Sequence, residues 1–310
     1  MDGIFFLILS FLTIYFSTRL SYYGDLYSKQ SKVGSLFVGG ILIASITSLP
    51  ELITTISATI LNNPSLSLGD ILGSNFFNIF VLAVYNLYFF KKNIFKNTSK
   101  KYIFECLLLI ISYLFILLGS KNILTFLIST ILLICYITYL YSIFKNPTRE
   151  DTTSFDKQKF ILLKFFITAI FMIILSTLLT IEADKITRIY PNFSSSTIGA
   201  ILLGITTSLP EVVTTFSLLS IDNYNMAISN MLGSNIFNFL VLSISDFLYK
   251  GNYIYYPVDK YSVMFIYGGL FITFLFIITL LFKNRKNIFY FIISIIMSFS
   301  YLYVWYLQFH

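Results

Sequence analysis

Charge is scarce in this chain. Asp, Glu, Lys and Arg together supply 11% of its 310 residues, where a soluble domain carries about 25%. Apolar residues reach 57% and aromatics 19%, with a mean hydropathy of +0.82. So few charges cannot cover so much apolar surface in water. A soluble enzyme, a disordered hub and a secreted disulfide scaffold are excluded. Histidine is reduced to His310, which excludes His-based triads and His-metal centres from the apolar part. Cys106 and Cys135 sit in separate apolar runs and form no C-x-x-C, so a thiolate metal or redox site is excluded too.

What is present is a series of long apolar runs. A spanning helix needs about 20 such residues in a row. Ten segments qualify: 3–18, 33–61, 66–90, 102–119, 122–144, 159–181, 196–220, 225–249, 261–282 and 288–308. None alternates apolar with polar as barrel strands do, so the expected fold is an all-α membrane protein. The first segment opens with Asp2 and no small-residue cleavage site follows, unlike a signal peptide. Sixteen of the 21 Lys and Arg fall in the connections after spans 1, 3, 5, 7 and 9 or on their flanks; Lys121, Lys185, Arg188, Lys250 and Lys260 fall on the other side. The positive-inside rule then puts the rich side in the cytoplasm and both termini outside it, in a multi-pass cell-membrane protein. The net charge of +7 is thus a topology signal and does not call for a nucleic-acid partner.

Residues 39–82 and 199–242 align without a gap at an offset of 160, with 20 of 44 positions identical. Both copies contain T-S-L-P-E and G-S-N-x-F-N, and both place an asparagine, Asn63 or Asn223, at the hairpin between their helices. Equivalent positions lie five spans apart. An odd number inverts the second copy, which gives two inverted five-helix repeats: residues 1–144, a cytoplasmic linker at 145–158, and residues 159–310. Secondary transporters built this way bind substrate near the bilayer midplane.

Glu51 and Glu211 lie deep in spans 2 and 7, where a carboxylate costs several kcal/mol unless it faces a cavity or partner. Neither repeated segment contains Lys or Arg, so protons or cations must compensate them. Pro50 and Pro210 precede the acids. Each removes a backbone N–H and clashes with the carbonyl four residues back, freeing the carbonyls of Ile46 and Thr206 in turns that include Ala44, Thr47, Gly204 and Thr207. Thr47 and Ser48 share a helix face with Glu51, and Thr207 and Ser208 with Glu211. Ser74 and Asn78, like Ser234 and Asn238, are four apart. Interhelical hydrogen bonding is an equal alternative for Ser74 and Asn75, and Gly73 and Gly233 suit close helix approach. The donor set is all oxygen, which suits Ca²⁺ and alkali cations, and Ca²⁺ more than Mg²⁺. Glu105, four residues after Lys101, reads as a helix-end pair; Asp70, Asp246, Glu182 and Asp184 read as interfacial charges.

Ten spans, an inverted duplication and paired T-S-L-P-E and G-S-N-x-F-N segments resemble the sodium/calcium exchangers of the cation/calcium antiporter superfamily. The resemblance implies antiport of Na⁺ against Ca²⁺ by alternating access, with no cofactor, the lipid bilayer as surroundings, and function as a monomer. It implies that Glu51 and Glu211 bind both ions in turn. Thr47 and Thr207 would add oxygens to Ca²⁺. Ala44, Ser48, Ser74, Gly204, Ser208 and Ser234 match positions around the flanking Na⁺ sites, and Asn78 and Asn238 the central amide or acid positions. Spans 1 and 6 would be the pair that slides. The chain departs from the family in carrying Ile46 and Thr206 where glycine is common, and amides at both central positions, which disfavours K⁺ dependence. The alternatives are an H⁺-coupled or K⁺-dependent Ca²⁺/cation antiporter; a passive channel and an intramembrane hydrolase fit the symmetric acids less well.

Overall fold

The computed structural model describes residues 2–31, 34–145, 159–189, 204–283 and 285–309. The expected linker (from residue 146), the opening of span 7 (196–203), and the cations Lys32, Arg149 and Lys157 lie outside the described residues, as does the Arg188 side chain. All regular structure among the described residues is helical. The helices of ten residues or more are α1 (Asp2–Gln30), α2 (Ser35–Thr47), α3 (Leu49–Ile60), α4 (Pro64–Tyr88), α5 (Ile103–Ser120), α6 (Thr125–Lys145), α7 (Ile161–Ile189), α8 (Leu209–Ser220), α9 (Tyr224–Leu248), α10 (Lys260–Leu281) and α11 (Asn287–Phe309). Eight are long and apolar enough to cross a bilayer, and nine spans result if the bent pair α2–α3 is one of them. The shorter α8, with the helical turn at 204–207 before it, is the described part of expected span 7.

Two compact units divide the chain, and neither is a sequence half. The first comprises Met1–Ile53 and Ser142–Ser234; the second comprises Thr54–Tyr141 and Asn235–His310. Each therefore draws helices from both repeats.

In the first unit α1 packs along α7 and α8. The expected span ends at residue 18, yet α1 runs on to Gln30. Its buried stripe explains the extension: Thr13, Ser17, Ser21, Asp25 and Ser28 recur about every four residues and are all buried. Small residues let helix backbones approach in a lipid setting. The polar end is held by Asp25, which accepts Lys29 Nζ at 2.8 Å and Asn223 Nδ2 at 2.7 Å. Asn223 meanwhile caps α9, its Oδ1 accepting Met226 N at 3.1 Å.

In the second unit α4 packs on α10 and α11, and α10 on α5. Asn63 caps α4 by accepting Leu66 N at 3.2 Å, with Pro64 in the first turn, where its missing N–H costs nothing. The two hairpins turn alike. Asn62 and Asp222 adopt left-handed φ of 57° and 61°, which Asn and Asp tolerate; Asn63 N then reaches Ala58 O and Asn223 N reaches Leu218 O, both at 2.9 Å.

Two acids expected at the interface are half-buried and hydrogen-bonded. Asp246 accepts Ser129 Oγ at 2.6 Å and Ile254 N at 2.9 Å, tying the 249–259 connection to α6 and α9. Asp70 accepts the hydroxyls of Thr54 and Thr55. Glu182 is buried and pairs with Lys185 at 3.1 Å. Glu105 is buried too, and its Oε2 accepts no hydrogen bond among the described residues.

Candidate cation-binding site

Span 2 breaks where the sequence predicts. The helix stops at Thr47, Ser48 takes φ −90° and ψ 10°, and α3 resumes at Leu49 with a bend of 44°. Ser208 takes φ −84° and ψ 3° at the matching place before α8. Pro50 and Pro210 then stand in the first turn of the new helix, the position proline tolerates best. They offer no N–H to the carbonyls of Ile46 and Thr206. The Ala44 carbonyl accepts Ser48 N at 3.1 Å, Thr47 Oγ1 at 3.2 Å and Ser234 Oγ at 3.4 Å. The Gly204 carbonyl accepts Ser208 N at 3.2 Å and Thr207 Oγ1 at 3.1 Å.

Upstream of the break, Val38–Ile43 winds as a π-helix, a distortion that concentrates at functional sites. Beyond the pair Gly39-Gly40, nothing in the residue pattern signals it. Gly39 is required there: a Cβ would stand 2.6 Å from the Met226 carbonyl and the Ser229 hydroxyl.

The two acids are exchanged between the repeats. Ser48 Oγ donates to Glu211 Oε1 at 2.8 Å, and Ser208 Oγ donates to Glu51 Oε1 at 3.1 Å. Both glutamates, both serines, Thr47 and Thr207 are fully buried. Glu211 Oε2 accepts no hydrogen bond among the described residues. The first unit thus gathers nine sequence-predicted residues: Ala44, Thr47, Ser48, Glu51, Gly204, Thr207, Ser208, Glu211 and Ser234.

The second unit holds Ser74, Asn78 and Asn238, and in it α4 and α9 are joined by four amides. Asn75 Nδ2 donates to the Asn235 carbonyl and Asn235 Nδ2 to the Asn75 carbonyl, each at 3.0 Å. Asn78 Nδ2 donates to Asn235 Oδ1 and Asn238 Nδ2 to Asn75 Oδ1, each at 2.9 Å. The amide groups of Asn78 and Asn238 commit their N–H to this knot and keep their Oδ1 atoms for something else. Neither Oδ1, nor the buried Ser74 Oγ, has a hydrogen-bond partner among the described residues. Amide oxygens without a hydrogen-bond partner are of the donor type that hard cations take. For Asn75 the interhelical alternative is the observed one. Residue pattern alone does not single out Asn235, although its place in the second G-S-N is a signal for it. Nor does it single out Asp25, for which the spacing of four from Lys29 is the available signal.

No group of three or more His, Cys, Asp or Glu among the described residues forms a metal cluster. The first unit holds two buried acids with hydroxyls and carbonyls, and the second holds amide oxygens; each is an oxygen set of the kind that hard cations take.

The chain is similar to several known proteins. Relatives include the uncharacterized membrane protein MJ0091 of Methanocaldococcus jannaschii, 26% identical over 239 residues, covering 76% of this chain and 78% of that protein. The inner membrane protein YrbG of Escherichia coli K12 is 24% identical over 244 residues, covering 74% of each chain. The fold matches the solved sodium/calcium exchanger from Methanococcus jannaschii with a TM-score of 0.71 at 22% identity, over 95% of this chain and 96% of that one. A structure of the exchanger NCX_Mj soaked in 10 mM Na⁺ without Ca²⁺ gives 0.72 at 22% identity, over 95% and 97%. A profile of the family described as sodium/calcium exchanger protein covers residues 3–145 and 160–309, nearly the whole sequence, and the chain belongs to that family.

Proposed function

We propose that this chain is a Na⁺/Ca²⁺ antiporter that binds its ions near the membrane midplane. The carrying observation is the reciprocal pair Ser48–Glu211 and Ser208–Glu51. Each repeat positions the other's carboxylate, so the two acids are held as one unit of charge. Two carboxylates neutralise one Ca²⁺ or about two Na⁺, so the ions compete for the same oxygens. Glu51 and Glu211 are the shared ligands. Thr47, Thr207 and the carbonyls about the breaks add oxygen to Ca²⁺. Ser48, Ser208, Ser74, Ser234, Ala44 and Gly204 serve Na⁺, with Asn78 and Asn238 completing the set.

Occluding two bare carboxylates in hydrocarbon is costly, whereas the loaded site is close to neutral. Passage between inward- and outward-open forms therefore requires a bound ion, and that requirement couples the two fluxes. The halves 1–144 and 159–310 act as inverted repeats joined by the 145–158 linker. Both termini lie outside the cytoplasm, and one chain is the working unit.

Proteoliposomes loaded with Na⁺ and diluted into Na⁺-free buffer should take up labelled Ca²⁺. Glu51→Gln should abolish that uptake. Uptake driven by a proton or K⁺ gradient without Na⁺ would replace Na⁺ as the coupling ion, and full activity of Glu51→Gln would refute the assigned site.

A further inference from the structure

The two hairpins share their backbone turns but differ in chemistry. In the first repeat Asp70 Oδ2 accepts Thr54 Oγ1 at 2.7 Å and Thr55 Oγ1 at 2.9 Å. Both bonds fall on one oxygen, so Oδ1 accepts none among the described residues. No ion pair among them involves Asp70 either. The hydroxyls continue toward the hairpin tip: Thr59 and Ser67 share a hydrogen bond of 2.8 Å, and Ser67 donates to the Thr55 carbonyl at 3.1 Å. At a rise of 1.5 Å per residue, Asp70 lies about 9 Å along α4 from its start. Along α3, Thr55 stands four residues beyond Glu51, on the same helix face.

The second repeat has none of the acid and only part of the hydroxyl path. Asn230 stands at the position of Asp70, Leu219 at that of Thr59 and Ala227 at that of Ser67. There the direction of the bond reverses: Asn230 Nδ2 donates to Thr215 Oγ1 at 3.0 Å. An amide and a hydroxyl make a neutral contact. A carboxylate that only accepts, half-buried and without a cationic partner, needs a positive charge from elsewhere.

From this asymmetry we propose that Asp70, with Thr54 and Thr55, is a second cation-binding station, present on the face of the membrane that bears the 61–63 hairpin and missing from the opposite face. Its assignment to one face rests on the inverted topology of the proposed function. One carboxylate with two hydroxyls and water is a weak Ca²⁺ ligand set, of millimolar order. Its consequence is directional. Ca²⁺ arriving from the hairpin face meets this station, and Ca²⁺ arriving from the other face does not.

Two measurements on the full chain test this. Labelled Ca²⁺ is first titrated by equilibrium dialysis against the Glu51→Gln/Glu211→Gln protein, which disables the central site. Weak residual binding should persist and should disappear when Asp70→Asn is added. This arm decides the station even if no Na⁺-driven flux is found. In proteoliposomes of known sidedness, Asp70→Asn should raise half-saturating Ca²⁺ about fivefold on the hairpin face relative to the other face. Asn230→Asp should lower it on the opposite face. Asn keeps an oxygen for the threonines, so a merely structural tie survives the change. Residual binding unaffected by Asp70→Asn, or equal shifts on both faces, would overturn the proposal.

Discussion

Asn75→Ala and Asn235→Ala should destabilise the protein equally. Each asparagine has the same set of partners in mirror image: one bond donated to the other's carbonyl, one accepted from an amide three residues beyond the other. Truncating Asn75 leaves Asn238 Nδ2 without its described acceptor, and truncating Asn235 does the same to Asn78 Nδ2. An orphaned buried donor costs about 1–3 kcal/mol. A lost hydrogen bond inside a membrane protein adds roughly 0.6 kcal/mol. With the small cavity, each variant should lose about 2–4 kcal/mol. The pairs differ in their coupling. Asn75 and Asn238 share a side-chain bond, so Asn75→Ala/Asn238→Ala should cost less than the sum of the singles by roughly 0.6 kcal/mol and at most about 1.7 kcal/mol. Unfolding of the purified protein in mixed micelles, followed by circular dichroism, supplies the four free energies of the cycle. If Asn75→Ala costs less than a third of Asn235→Ala, or if the double variant is more costly than the sum, the knot is not the symmetric structure described.

Two further outcomes follow from packing. Gly39→Val should cost at least about 1–3 kcal/mol by overpacking, because the added carbons meet the Met226 carbonyl, a backbone atom that cannot swing aside; a thermal midpoint in detergent equal to that of the parent would contradict it. Asp25→Ala should cost about 1.5–3 kcal/mol, since it strands Asn223 Nδ2 in a buried setting and releases Lys29; proteolytic cleavage at the 221–223 turn should accelerate, and unchanged cleavage would refute the tether.

Elements with strong one-dimensional signals are legible in the residues alone. Apolar length locates the spans, and the 160-residue offset locates the paired breaks because proline and glutamate recur in one context. Helical spacing singles out Ser48 and Ser208 but places each beside the acid of its own repeat, whereas the helix is interrupted at both serines. Spacing alone does not show that each serine serves the other repeat's acid, because that contact links residues 163 and 157 apart in sequence. The same holds for Asn235, whose partner lies across an interhelical contact. The end of α1 is misplaced when charge is taken as a helix boundary, whereas Asp25 and Lys29 neutralise one another within the helix. Asp70 and Asp246 read from sequence as charges alone. A local window registers the charge and does not register the threonines, the serine or the backbone N–H that receive it.

The exchange of serines between the glutamates also bears on how such a gene can drift after duplication. A change at Ser48 is felt by Glu211, and a change at Ser208 by Glu51. Neither copy can be altered there without injuring its twin, so the two T-S-L-P-E segments are tied to a common history. Among the described residues the hairpins carry no such reciprocal hydrogen bond. Thr59 and Ser67 could become Leu219 and Ala227 in the sister copy without a matching loss, and a molecule that began as two equal halves could acquire a front and a back.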